Sequence, residues 1–127
     1  MNLVDKQLED LKRRYEGATF RILPSGTRIV TVPHITLISG WNKSQTTVRF
    51  LIPSAYPYAA LDCFWADNDL RLANNQLPQA SGADREIPEA NETGLWFSWH
   101  LTQPWNPNRD TLSSWMNTVN DRLLRVQ

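Results

Sequence analysis

The hydrophobic residues change their period twice along this chain, and that switch restricts the fold more than any other feature. Val4, Leu8, Leu11 and Tyr15 recur at spacings of four, three and four, which lays one apolar stripe along an amphipathic helix over residues 2–16. Asp5, Lys6, Glu9, Asp10, Lys12 and Arg13 fill its other faces, Glu9 and Arg13 stand four apart, and Gly17 is placed to end it. The far end of the chain repeats the helical period. Leu112, Trp115, Met116, Val119 and Leu123 predict a second helix, with Asn108 and Asp110 suited to its start and Arg122 and Arg125 to its C-terminal carbonyls.

Between these ends the period falls to two. Residues 20–23 run into the turn Pro24-Ser25-Gly26, followed by apolar segments at 28–32 and 35–38. From 46 to 52, Val48, Phe50 and Ile52 alternate with Thr47, Arg49 and Leu51; from 61 to 66, Leu61, Cys63 and Trp65 alternate with Asp62, Phe64 and Ala66. Short connections join these segments, so an antiparallel meander of four to five strands is the economical topology. Regularity is lost from 66 to 93, where six acidic residues oppose two arginines and the leucines are scattered. This predicts a long loop, ordered near Leu70 and Leu72 and mobile around residues 81–86. The order is helix, meander, long loop, helix: an α+β fold, with residues 1–127 as a single domain.

Several functions drop out on residue counts. Thirteen basic residues balance thirteen acidic ones, which argues against a broad basic surface for nucleic acid. No apolar run approaches the roughly 20 residues that cross a bilayer, and the first residues are too polar for an export signal. One cysteine, Cys63, excludes an intrachain disulfide and, with only His34 and His100, a four-ligand Cys/His zinc site. No glycine-rich phosphate loop or HExxH motif is present. These features predict a cytoplasmic protein with no membrane or nucleic-acid partner, no metal and no organic cofactor.

Three pieces of the sequence together resemble the ubiquitin-conjugating enzymes. FLIPSAYPYAALDCFW, residues 50–65, is similar to that family's run of strand, proline, Tyr-Pro pair and strand, with Pro53, Tyr56 and Pro57 at the matching places. Trp105 and Pro107 match its Trp-x-Pro, and an N-terminal helix leads into the meander. A narrower likeness is to the prokaryotic family E of this superfamily, carried by GLWFSWHLTQPWNPNRDTL, residues 94–112, with Phe97, Ser98 and His100 at a Trp-Ser-x-His-like core. The resemblance implies the conjugating-enzyme-like fold. It also implies two partners in a bacterial pathway, a ubiquitin-like modifier and an activating-enzyme homologue that spends the ATP and that the first helix helps to engage. In the eukaryotic enzymes a cysteine stands about eight residues before the Trp-x-Pro tryptophan. Here that place falls at Phe97 and Ser98, and the His-Pro-Asn motif is missing.

Cys63 is the only thiol, yet its alternation with Leu61 and Trp65 predicts a buried, inert core residue. Ser98 and His100 are two apart, so an extended backbone points both to one side, with Phe97, Trp99 and Leu101 turned inward. His100 as general base would let Ser98 accept an acyl group as an oxyester. The alternative gives Ser98 a turn cap and His100 a backbone hydrogen bond, which leaves a non-catalytic binding module or adaptor. The six tryptophans, at 41, 65, 96, 99, 105 and 115, are expected mostly in the core, since residues 94–105 contain no lysine or arginine for a nucleic-acid platform.

Overall fold

A computed structural model describes residues 2–127. Helix α1 spans Leu3–Arg14 and buries Val4, Leu8 and Leu11, three of the four residues of the predicted stripe. The Asn2 side chain caps it by accepting from the Asp5 N–H at 2.8 Å. Past its end Gly17 takes a φ of +86°, a left-handed conformation that glycine adopts without cost. Helix α2 spans Leu112–Leu123, starting one residue after the Thr111 cap. Thr111 Oγ1 accepts from the Ser114 N–H at 3.1 Å while Ser114 Oγ accepts from the Thr111 N–H at 2.8 Å, a reciprocal capping box.

Between the helices lie β1 (Thr19–Ile22), β2 (Arg28–Thr36), β3 (Gln45–Ile52), β4 (Phe64–Ala66), β5 (Ser81–Ile87) and β6 (Glu92–Phe97). They form one antiparallel sheet in the order β1-β2-β3-β4-β6-β5. The fold is α+β as expected, with six strands instead of four to five. The apolar segments at 28–32 and 35–38 prove to be mostly one strand. Their break is a bulge at Pro33-His34, where the register shifts and His34 takes a φ of +60°.

The larger correction concerns the predicted mobile loop. Residues 81–87 are strand β5, paired along β6 from Ser81–Phe97 to Ile87–Glu92. Only Gly82 and Ile87 of that strand are buried, so no apolar alternation betrays it. Backbone pairing to the apolar strand β6 holds it in place.

The sheet is buried on both faces. On one, Val30, Val48, Phe50, Phe64 and Phe97 pack with Leu8 and Leu11 of α1 and Trp115 and Val119 of α2. Phe64 stacks on Phe97 with centroids 4.8 Å apart, and Phe50 meets Trp115 edge-on at 6.3 Å. The other face carries a smaller cluster of Leu23, Ile29, Trp65, Ile87 and Ala90. Ala90 belongs to the β5–β6 turn, which folds across this face to the β1–β2 turn. There Ser25 N donates to Glu89 at 3.0 Å, and Glu92 takes Arg21 at 3.0 Å and Arg49 at 2.7 Å.

Candidate functional site

The two motif pieces that stand 48 residues apart in sequence meet in space. The Trp105 indole N–H donates to the Pro57 carbonyl at 2.7 Å, and its ring tilts against Tyr56 at 5.7 Å. The Tyr56–Pro57 peptide is cis. Tyr56 is buried and its hydroxyl bonds Gln7 Oε1, which also accepts from the Leu112 N–H at 3.0 Å. One glutamine of α1 thereby ties the Tyr-Pro segment to the start of α2. Burial pushes the Tyr56 phenol up to about 12. Asp110, also buried, accepts from the Asn106 N–H at 2.8 Å and fixes the turn between Trp105 and α2.

Ser98 and His100 follow the end of β6. Phe97 is fully buried and Trp99 packs against the main core, while Ser98 and His100 are exposed. The Ser98 N–H donates to Ala80 O at 2.8 Å, and Trp99 O accepts from the Cys63 N–H at 2.9 Å. The backbone is therefore held from both sides at the point where the two polar side chains emerge. Among the described residues no side-chain hydrogen bond joins Ser98 to His100.

Cys63 does not lie where the alternation predicted. It precedes β4, takes a φ of +59°, and is half-buried. That left-handed residue turns the chain, so Leu61 packs into the main core whereas Cys63 joins Trp65 and Trp96 in the smaller cluster on the opposite face. Its N–H bond to Trp99 sets it alongside Ser98, one residue beyond the last pair, Phe64–Phe97. Burial pushes its thiol pKa up, and the Trp96 indole offsets part of this.

A cleft of about 430 Å³ opens beside His100, lined by residues 60–62 and 100–105, with Ser98 outside its lining. His100 and Asp62 share it, so a carboxylate and an imidazole face one opening. Asp62 escaped sequence reasoning because the β4–β6 pairing, extended by the bond between residues 63 and 99, is what brings its segment here. Arginines escaped it as well. Although 94–105 has no cation, Arg85 stacks on Trp96 at 5.4 Å, and Arg122 and Arg125 lie 5.7 and 5.5 Å from the Trp99 ring. The tryptophans divide evenly: Trp41, Trp65 and Trp115 are buried, and Trp96, Trp99 and Trp105 are half-buried around the site. Among the described residues no three His, Cys, Asp or Glu side chains gather as a metal site. No described helix is long and apolar enough to cross a membrane.

An antiparallel sheet flanked by an N-terminal and a C-terminal helix, with a Tyr-Pro segment clasped by a later Trp-x-Pro tryptophan, defines a conjugating-enzyme-like domain. The chain belongs to prokaryotic E2 family E, whose sequence profile matches residues 4–126. No curated protein and no solved structure matches it significantly.

Proposed function

We propose that this protein accepts the C-terminal acyl group of a ubiquitin-like modifier from an activating-enzyme homologue and holds it as an oxyester on Ser98. Ser98 Oγ attacks the activated carbonyl carbon, a C–O bond forms, and the bond to the leaving group breaks. His100 takes the hydroxyl proton and returns it to the departing group. Transfer to an amine acceptor reverses these roles and frees Ser98. The observation that carries this reading is the alternation at the end of β6, which buries Phe97 and packs Trp99 inward while Ser98 and His100 stand in solvent, His100 on a cleft.

The encounter with the activating enzyme is assigned to α1. Of its four cations, Arg14 is committed to α2 through Ser113 and Asn117, and Lys12 lies over the Phe20 ring at 5.3 Å. Arg13 pairs with Asp10 on the same helix, which leaves Lys6 as the uncommitted charge among the described residues. A second reading, a binding module without catalysis, draws on the missing hydrogen bond between Ser98 and His100.

Incubation with an activating enzyme, its modifier and ATP separates the two. Wild type should form an adduct that survives thiols and is released by hydroxylamine, Ser98→Ala should form none, and His100→Ala should react about a hundredfold more slowly. The same adduct on Ser98→Ala would remove Ser98 from the mechanism. A wild type that forms none would leave the binding module.

A further inference from the structure

Arg122 was expected as a cation favourable to the C-terminal end of α2, and it does bind backbone oxygens there. It is also buried, at 2% exposed. Its guanidinium donates to three main-chain oxygens, those of Arg125 at 2.7 Å, Gln79 at 2.8 Å and Gln127 at 2.9 Å. No Asp or Glu side chain pairs with it among the described residues. Two aromatic faces complete the surroundings: Phe97, with its ring centroid at 4.9 Å, and Trp99, at 5.7 Å. Burial, with Arg125 nearby, lowers its pKa. Burying an arginine is a poor device for stability alone, because an apolar side chain of similar volume often serves as well or better.

What Arg122 touches suggests its use. Phe97 and Trp99 are alternate residues of the segment whose other members are Ser98 and His100. Holding the first two inward holds the second two outward. Arg122 also binds Gln79 O, next to Ala80, whose carbonyl receives the Ser98 N–H. We propose that Arg122 is a positioning residue for the candidate site: it clamps the Phe97 and Trp99 rings against the ends of α2 and β5, and so sets the direction of Ser98 and His100. It touches neither of them. The functional part of this inference rests on the Ser98–His100 reading above. A lysine would keep the charge, but a single ammonium cannot reach three main-chain oxygens and lie flat against two rings.

The test uses Arg122→Lys, Arg122→Met and Trp99→Leu, each in a Cys63→Ala background so that Ser98 is the probed nucleophile. Amide hydrogen exchange reports the clamp directly. Ser98 and Trp99 amides should exchange at least about tenfold faster than in the parent. Acylation by p-nitrophenyl acetate, located on Ser98 by mass spectrometry, reports the chemistry: the acetyl group moves to Oγ and p-nitrophenolate leaves. Its plateau rate should fall about tenfold or more, because small misplacements of a reacting group are costly. The pH midpoint of the rate should stay where it is, since the base is unchanged. Variants that are folded yet remain within twofold of the parent in both measurements would overturn the proposal. If the parent protein is not acylated at Ser98, the functional reading falls and exchange alone decides whether Arg122 positions the segment. If both Arg122 variants fail to fold, Trp99→Leu, which leaves the main-chain bonds in place, decides it.

Discussion

Replacing Trp105 with phenylalanine probes the junction that carries the family likeness. The substitution keeps a ring beside Tyr56 but deletes the indole N–H that reaches the Pro57 carbonyl at 2.7 Å. A hydrogen bond of this kind contributes about 1 kcal/mol net, and an acceptor left without a partner costs about 1–3 kcal/mol when water is excluded. Trp105 is half-buried, so water can reach part of the vacated space and the loss should sit near the lower end, about 1–1.5 kcal/mol. A chain of this length unfolds with an entropy of roughly 0.27 kcal/mol/K near its midpoint, so the midpoint should fall by about 4–6 °C. Thermal unfolding followed by far-UV circular dichroism reads this without relying on the lost indole. A midpoint within about 1 °C of wild type would mean that water replaces the indole at no cost and that the 100–105 loop is not anchored there.

Four further outcomes follow from the geometry. A Cβ at Gly94 would lie 2.7 Å from the Ala66 carbonyl and 3.2 Å from Trp65 Cβ, so Gly94→Ala should cost about 1–3 kcal/mol in urea unfolding; a change under about 0.5 kcal/mol would contradict the close β4–β6 approach. The folded state holds the Tyr56 proton up to about pH 12, against an ordinary value of 10.0. The stabilisation is complete below the unfolded value and is lost as pH rises from about 10 towards 12; Tyr56→Phe should flatten that alkaline slope, and an unchanged slope would assign it elsewhere. Because burial raises the Cys63 pKa, native Cys63 should alkylate with iodoacetamide at least about tenfold more slowly than in denatured protein. Its position beside Ser98 should also let Ser98→Cys close a disulfide under mild oxidation; a native rate matching the denatured one, or no cross-link, would count against this placement.

The helices were legible because each buries one stripe, and a stripe at helical spacing survives in sequence whatever it packs against. Strand β3 was legible for the same reason at period two, with Thr46, Val48, Phe50 and Ile52 buried in turn. Strand β5 was not, since its place is set by backbone bonds to β6 and not by side chains. Cys63 was misplaced because a regular alternation was carried through a residue with positive φ. At the candidate site, the exposure of both Ser98 and His100 was legible because they are two residues apart. Asp62 and Arg122 could not, since each reaches the site through a contact that spans 36 residues or a helix end from elsewhere in the chain. A buried arginine and a surface arginine look the same in a sequence.

The bonds between the β1–β2 and β5–β6 turns join residues far apart along the chain: 64 positions for Ser25 and Glu89, 69 for Arg21 and Ala90, 71 for Arg21 and Glu92. Contacts of such separation carry a large loop-closure cost unless the intervening strands have already brought their ends together. The latch between the turns therefore closes late in folding, after the strands between it are in register. Weakening it, by Glu89→Gln or Glu92→Gln, should quicken unfolding while leaving the refolding rate nearly unchanged. In kinetic terms the turn pair is a catch on a finished structure: it governs how long the fold lasts more than how fast it forms.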